Sequence, residues 1–251
     1  MNSQPPLRPD LVNTDDADVV YTQTKTVNLD QALLENNRIL AFNKARKESA
    51  LFDLLRTQIL QKMEENNWKS IAVVSPSPEC GKTFISINLA ISIAQQPNKS
   101  ALLVDFDLRR PKVATYLGLK ETYSLNDYFS GKKQFNDILI NPGIPKLVVA
   151  ATNKSVLKSS ELLSTDKARQ FIREARDRYE SRILVVDLPP ILAVDDPLVV
   201  LPQIDCVLLV IGSGVNSRKE ILEAKRKLAN FNLIGVVLNK ADTEDQGYYY
   251  Y

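Results

Sequence analysis

An α/β fold, with a mainly parallel β-sheet covered by helices on both faces, is the class this sequence predicts, and three observations predict it. Short, continuous, β-branched runs recur at 71–74, 101–104, 147–151, 183–186, 206–211 and 235–238. Such runs suit strands buried on both faces, as parallel sheets require. Segments of helical periodicity lie between them, the alternation that crossover connections produce. The third observation is size: 251 residues with 44% hydrophobic and 25% charged side chains support one sizeable core.

Taken in order, residues 1–30 are polar and proline-bearing and lack periodicity, and we read them as a flexible arm. Residues 31–66 read as a helical extension. Its stronger part, 48–66, sets Leu51, Leu54, Leu55, Gln58 and Ile59 three and four apart, the spacing of a buried helix face. Residues 67–241 form the main domain. Its first strand, 71–74, runs through a tight loop into a helix over 81–95, and its second, 101–104, ends in Asp105-Phe-Asp107-Leu-Arg109. Short helices are expected at 125–129 and 135–139, a strand at 147–151 and a helix at 166–179. Strands at 183–186, 206–211 and 235–238 complete the sheet, with an amphipathic helix over 217–230 between the last two. Residues 242–251 form a tail that closes on Tyr248, Tyr249, Tyr250 and Tyr251.

Composition excludes several chemistries. Histidine is absent, which removes Ser-His-Asp, Cys-His and His-zinc sites. A net charge of +2 does not provide the concentrated basic field of a nucleic-acid binder. Two cysteines, Cys80 and Cys206, are too few for a disulfide framework. No apolar run approaches the ~18 residues of a membrane span, and the N-terminus has no signal-peptide core, so cytoplasmic residence is expected.

What remains is a cation, carboxylates and a metal ion. Pro78, Glu79, Cys80, Gly81, Lys82, Thr83 and Phe84 lie where a strand turns into a helix, the recipe for a nucleotide phosphate site, or P-loop. Backbone N–H groups and the helix dipole favour an anion there. Lys82 would reach the β- and γ-phosphates of ATP, and the Thr83 hydroxyl would coordinate Mg²⁺. Asp105, Asp107 and Asp187 stand at the carboxyl ends of expected strands, the edge where open α/β sheets bind ligands. Phosphoryl transfer needs this inventory: positive charge, carboxylates to hold Mg²⁺, and an acceptor for a proton. The alternative for Asp105 and Asp107 is that they cap the helix that follows.

In order, Gly81-Lys82-Thr83, the run ending Asp105-x-Asp107-x-Arg109 and the run ending Asp187-x-Pro189-Pro190 resemble the Walker A, A′ and B motifs of the bacterial tyrosine kinases. Those kinases regulate capsule and exopolysaccharide synthesis. The resemblance covers about residues 45–251 and implies a P-loop NTPase fold and an ATP- and Mg²⁺-dependent protein-tyrosine autokinase. It further implies that Asp105 deprotonates the incoming tyrosine with help from Asp107, that Thr83, Asp105 and Asp187 organise Mg²⁺, and that Arg109 orients the acidic pair. Tyr248, Tyr249, Tyr250 and Tyr251, on the chain itself and on other copies in trans, would be the phosphoacceptors, and a transmembrane polysaccharide co-polymerase the activating partner, drawing the chain to the inner face of the membrane.

Two departures accompany the resemblance. The family reads Pro-Gly-Glu-Gly-Lys where this chain has Pro78-Glu79-Cys80-Gly81-Lys82. A lost glycine removes conformational freedom, and a carboxylate at position 79 would repel phosphate if it turned inward. The family's ring-forming helix reads Glu-x-x-Arg-x-x-Arg, against Ala50, Asp53 and Arg56 here. These positions share one helix face, so Asp53 would repel an acidic neighbour, and weak self-association is expected. The rival readings are a nucleotide-switched partition or division-site ATPase and a weakly catalytic nucleotide-binding regulator.

Overall fold

The computed structural model of the chain describes residues 24–43, 47–119, 124–152 and 154–241. The arm expected over 1–30 lies outside the described residues up to position 23, and the tail over 242–251 lies outside them entirely.

Strand β2 (Ser70–Val74) is buried along its length and divides its side chains between two apolar layers. Ile71 and Val73 enter one, Ala72 and Val74 the other. Strands β3 (Ser100–Asp105), β5 (Leu147–Ala150), β6 (Arg182–Asp187) and β7 (Cys206–Gly212) alternate in the same way, which explains their continuous apolar runs. With β1 (Lys25–Thr26), β4 (Ile140–Asn141) and β8 (Leu233–Asn239) they make an eight-stranded sheet in the order β1-β4-β5-β3-β6-β2-β7-β8. It is parallel except where β4 meets β5.

One face of the sheet carries α1 (Gln31–Asn36), α2 (Lys47–Glu65), α3 (Lys82–Ala94) and α4 (Val113–Leu117). The other carries α5 (Leu125–Phe129), α6 (Ser159–Leu163), α7 (Asp166–Asp177), α8 (Asp196–Val200) and α9 (Arg218–Lys227). Every residue of α3 but Phe84 is buried, its polar side chains Lys82, Thr83, Ser86, Asn88 and Ser92 each hydrogen-bonded within the fold. Side-chain caps set several of the starts: Thr165 Oγ1 accepts from Ala168 N at 3.2 Å, for example, and Ser217 and Glu220 form a reciprocal capping box. The segment expected as a helix over 135–139 is a single 3₁₀ turn, Asn136–Ile138.

The extension differs from its expected form in two ways. The helical pattern from Gln31 stops at Asn36, and the chain then bends so that Ile39 and Ala41 are buried. Asn88 on α3 holds that bend, its Oδ1 accepting from the N–H groups of Leu40 and Ala41 at 2.8 and 3.0 Å. Helix α2 is rotated relative to the expected face: Phe52, Ile59, Leu60 and Met63 are buried, while Leu51 and Leu54 are 66% and 58% exposed. Phe52 decides the rotation by packing edge-on against Phe84 of α3, with ring centroids 5.6 Å apart. Within the expected arm, Lys25–Thr26 pairs with β4 as the outermost strand.

Candidate active site

Strand order brings the site together. The chain leaves β2 through the P-loop, runs along α3 and returns as β3, with β6 filling the gap between β2 and β3. The carboxyl ends of three adjacent strands therefore carry the P-loop, Asp187 and Asp105, and the two aspartates are direct register partners. This is the edge where ligands bind in open parallel sheets.

Gly81 precedes α3 with φ 90, and no side chain caps the helix start. The first-turn N–H groups of α3 thus have no side-chain acceptor, which suits an anion. Gly81 suits its left-handed φ, and a Cβ there would collide with Nδ2 of Asn239, so that carboxamide would have to shift. Glu79 takes φ 66, the left-handed region in which glycine is at ease, and it and Pro78 are exposed. Cys80 is buried beneath the loop, and Phe84 is half-buried against Phe52.

Lys82 lies across the carboxylates. Its Nζ donates to Asp107 Oδ2 at 2.7 Å and stands 3.7 Å from Asp187 Oδ2. Thr83 Oγ1 donates to Asp187 Oδ2 at 2.6 Å, and Ser86 Oγ donates to Asp187 Oδ1 at 3.0 Å. Burial works to lower the Lys82 ammonium, but the charges of Asp187 and Asp107 outweigh it and hold it above its ordinary value. Burial raises the Asp187 carboxyl against the opposing pull of Lys82. Burial and then the neighbouring charge of Asp187 push Asp105 well above the ordinary carboxylate range.

Asp105 also serves as a helix anchor. Its Oδ1 accepts from Asp107 N at 3.2 Å, and its Oδ2 accepts from Lys112 N and Val113 N, at 3.1 and 3.0 Å, where α4 begins. Arg109 does not reach the acidic pair. Its Nε donates to Asp196 Oδ2 at 3.1 Å, tying the turn after β3 to the start of α8. The buried Asp196 draws the guanidinium away because an unpaired carboxylate there would be costly. Sequence reasoning missed Ser86, whose signal is its place one helical turn after Thr83, and Asp196, which has no local signal.

The residues fit a magnesium nucleotide. An uncapped helix start behind a left-handed glycine, a buried lysine, and a hydroxyl beside a buried carboxylate are the donor set such a ligand needs.

The family described as the CobQ/CobB/MinD/ParA nucleotide binding domain matches residues 71–249. Tyrosine-protein kinase YwqD of Bacillus subtilis (strain 168) is 30% identical over 221 residues, spanning 87% of this chain and 92% of that protein. Tyrosine-protein kinase etk of Escherichia coli (strain K12) is 34% identical over 187 residues, which are 74% of this chain but 25% of that protein. This chain thus spans about a quarter of the length of that relative. In structure it is similar to the kinase domain of Escherichia coli tyrosine kinase ETK, with a TM-score of 0.76 and 28% identity, covering 90% of this chain and 93% of that one.

Proposed function

This chain belongs to the bacterial tyrosine-kinase family of P-loop nucleotide-binding proteins, and on that premise we propose that it is an ATP-dependent autokinase acting on Tyr248, Tyr249, Tyr250 and Tyr251. The observation that carries the reading is the meeting of Lys82, Thr83, Asp105, Asp107 and Asp187 at three adjacent strand ends. Lys82 and the first-turn N–H groups of α3 would hold the phosphates, and Thr83 and Asp187 would hold Mg²⁺. The metal ion, when bound, neutralises charge on the transferring phosphoryl group. Asp105 takes the proton of the incoming tyrosine hydroxyl, whose oxygen bonds to the γ-phosphorus as the bond to ADP breaks. Asp107 assists through its bond to Lys82, whose Nζ donates to Asp107 Oδ2 at 2.7 Å.

Among the described residues, two tyrosines are poorly placed as acceptors. Tyr128 is buried in an aromatic cluster, 5.3 Å from Phe171 between ring centroids, and Tyr179 lies under the Arg182 guanidinium at 4.3 Å. Phosphate on the tail adds about 1.5–2 negative charges per tyrosine, enough to alter docking on a transmembrane polysaccharide co-polymerase and so to regulate capsule or exopolysaccharide export. Such docking would also draw the chain to the inner face of the membrane; among the described residues, no helix is long and apolar enough to cross a membrane.

Phosphotyrosine detection after incubation with Mg·ATP tests the reading. The wild type is expected to label itself, and a chain with the four tyrosines changed to Phe to lose most of the label while still binding nucleotide. Label that maps mainly to Tyr116, Tyr123, Tyr128 or Tyr179 would overturn the tail assignment. ATP hydrolysis without phosphotyrosine would favour the partition-ATPase reading, and binding without either would favour a regulator.

A further inference from the structure

Two left-handed residues, Glu79 at φ 66 and Gly81 at φ 90, stand within three positions of the P-loop. Only one is glycine, and strained backbone of this kind persists where its surroundings hold it. The first part of the loop is held by the chain after β6: Ile191 N and Leu192 N donate to the carbonyls of Ser75 and Pro76, at 2.9 and 3.2 Å. Residues 77–80 lie beyond that support.

Two carboxamides reach them from the opposite side. Asn216, between β7 and α9, donates from Nδ2 to Ser77 Oγ at 2.7 Å, and its Oδ1 accepts from Cys80 Sγ at 3.0 Å and Gly212 N at 2.9 Å. Asn239, the last residue of β8, donates from Nδ2 to the Cys80 carbonyl at 2.9 Å. Its own carbonyl accepts from Ser213 N at 2.8 Å, which braces β8 against the end of β7. Both asparagines are half-buried. The approach is close: a Cβ on Gly212 would come within 3.3 Å of Cys80 Cα. Since β7 and β8 are the first and second strands beyond β2, side chains from their ends are well placed to reach the loop.

We propose that Asn216 and Asn239 are positioning residues that hold residues 77–80 in the shape that receives nucleotide phosphates, offsetting the glycine that Glu79 replaces. The inference rests on reading the P-loop as a phosphate site, and it assigns neither residue to the transfer step. A loop that has lost its shape weakens ground-state and transition-state binding alike, which raises KM and leaves kcat near its original value.

The test measures Mg·ATP affinity by calorimetry, the kcat and KM of self-labelling, and urea melts without nucleotide, for Asn216→Ala, Asn239→Ala, Ser77→Ala and the Asn216→Ala/Ser77→Ala double variant. Each asparagine change is expected to weaken Mg·ATP binding about tenfold, mostly through KM. Ser77→Ala deletes one hydroxyl and keeps the test sound if an asparagine variant fails to fold. Because Ser77 and Asn216 share a bond, the double variant should bind little worse than Asn216→Ala alone. Unchanged affinity in folded variants, or losses at Ser77 and Asn216 that simply add, would overturn the proposal. A wild type that binds Mg·ATP without self-labelling would sink the kinase reading alone, and one that binds no Mg·ATP would sink both.

Discussion

The carboxyl edge of the sheet and the outer face of α2 each carry a motif, yet only at the sheet edge do the motif residues, Arg109 excepted, gather into the surface expected of them. At the edge, placement follows from strand order. Asp105 and Asp187 are register partners on β3 and β6, and β2 delivers Lys82 to both loops. On α2, placement follows from helix rotation, which packing against α3 decides. Asp53 Oδ1 accepts from Arg56 Nη1 at 2.7 Å and from Ser92 Oγ of α3 at 2.8 Å. Arg56 Nη1 also donates to the Ser92 carbonyl at 3.3 Å. Two of the three positions expected to face a neighbouring copy therefore bond within the chain; of the three, Ala50 alone is exposed, beside Leu51 and Leu54. A motif set by strand order keeps its meaning under substitution, whereas a motif on a surface helix depends on what the helix rests on.

Lys82→Met should break the first region outright. It leaves Asp107 and Asp187 buried without their cation, so Mg·ATP affinity and phosphotyrosine formation are expected to fall by roughly a hundredfold or more. The free chain should also lose about 3 kcal/mol in urea melts. A folded variant with wild-type ATP affinity in calorimetry would remove Lys82 from the site.

The second region should respond less. Asp53→Ala strips Arg56 of its carboxylate and is expected to cost about 1 kcal/mol of stability, with nucleotide affinity untouched. Light scattering on size-exclusion chromatography should show a chiefly monomeric or weakly associating chain at micromolar concentration, because this charged pair is occupied internally. A stable octamer of the isolated chain would show that another surface, Leu51 and Leu54 included, does the work of the altered motif.

Glu79→Gly probes the smallest difference. Relief of a left-handed non-glycine residue is worth about 1 kcal/mol, reduced by the freedom a glycine gives the unfolded chain. A net gain of about 0.5 kcal/mol in urea melts is expected. A loss would mean that the Glu79 side chain contributes a stabilising contact of its own.

Much of this was legible in the amino-acid order, for stated reasons. Runs such as Ile71–Val73 and Leu102–Val104 feed both layers of the core, so they had to be apolar throughout. Carboxylates that close such runs had to stand at the ligand edge. The rotation of α2 was not legible, because Leu51, Leu54, Leu55 and Ile59 make as good a helical stripe as Phe52, Ile59, Leu60 and Met63. The two-residue strands β1 and β4 are too short to carry a pattern. The grip of Asp196 on Arg109 and of Asn239 on Cys80 joins residues 87 and 159 positions apart, and nothing local announces either. Asp105 illustrates a different limit: its two readings, helix anchor and ligand-edge carboxylate, were posed as alternatives, and the structure gives it the anchoring bonds while placing it at that edge.

The bond between Asn239 and the P-loop has a consequence for molecular supply. Tyr248 follows Asn239 by nine residues, a contour of at most about 30 Å. In the proposed reaction the acceptor is therefore tethered at the rim of the site. Short tethers hold their cargo at effective concentrations of about millimolar, so the site needs little affinity for the residues around a tyrosine. A kinase fed in this way can leave peptide recognition to the leash, and four identical side chains in a row suit a site that selects by reach rather than by sequence.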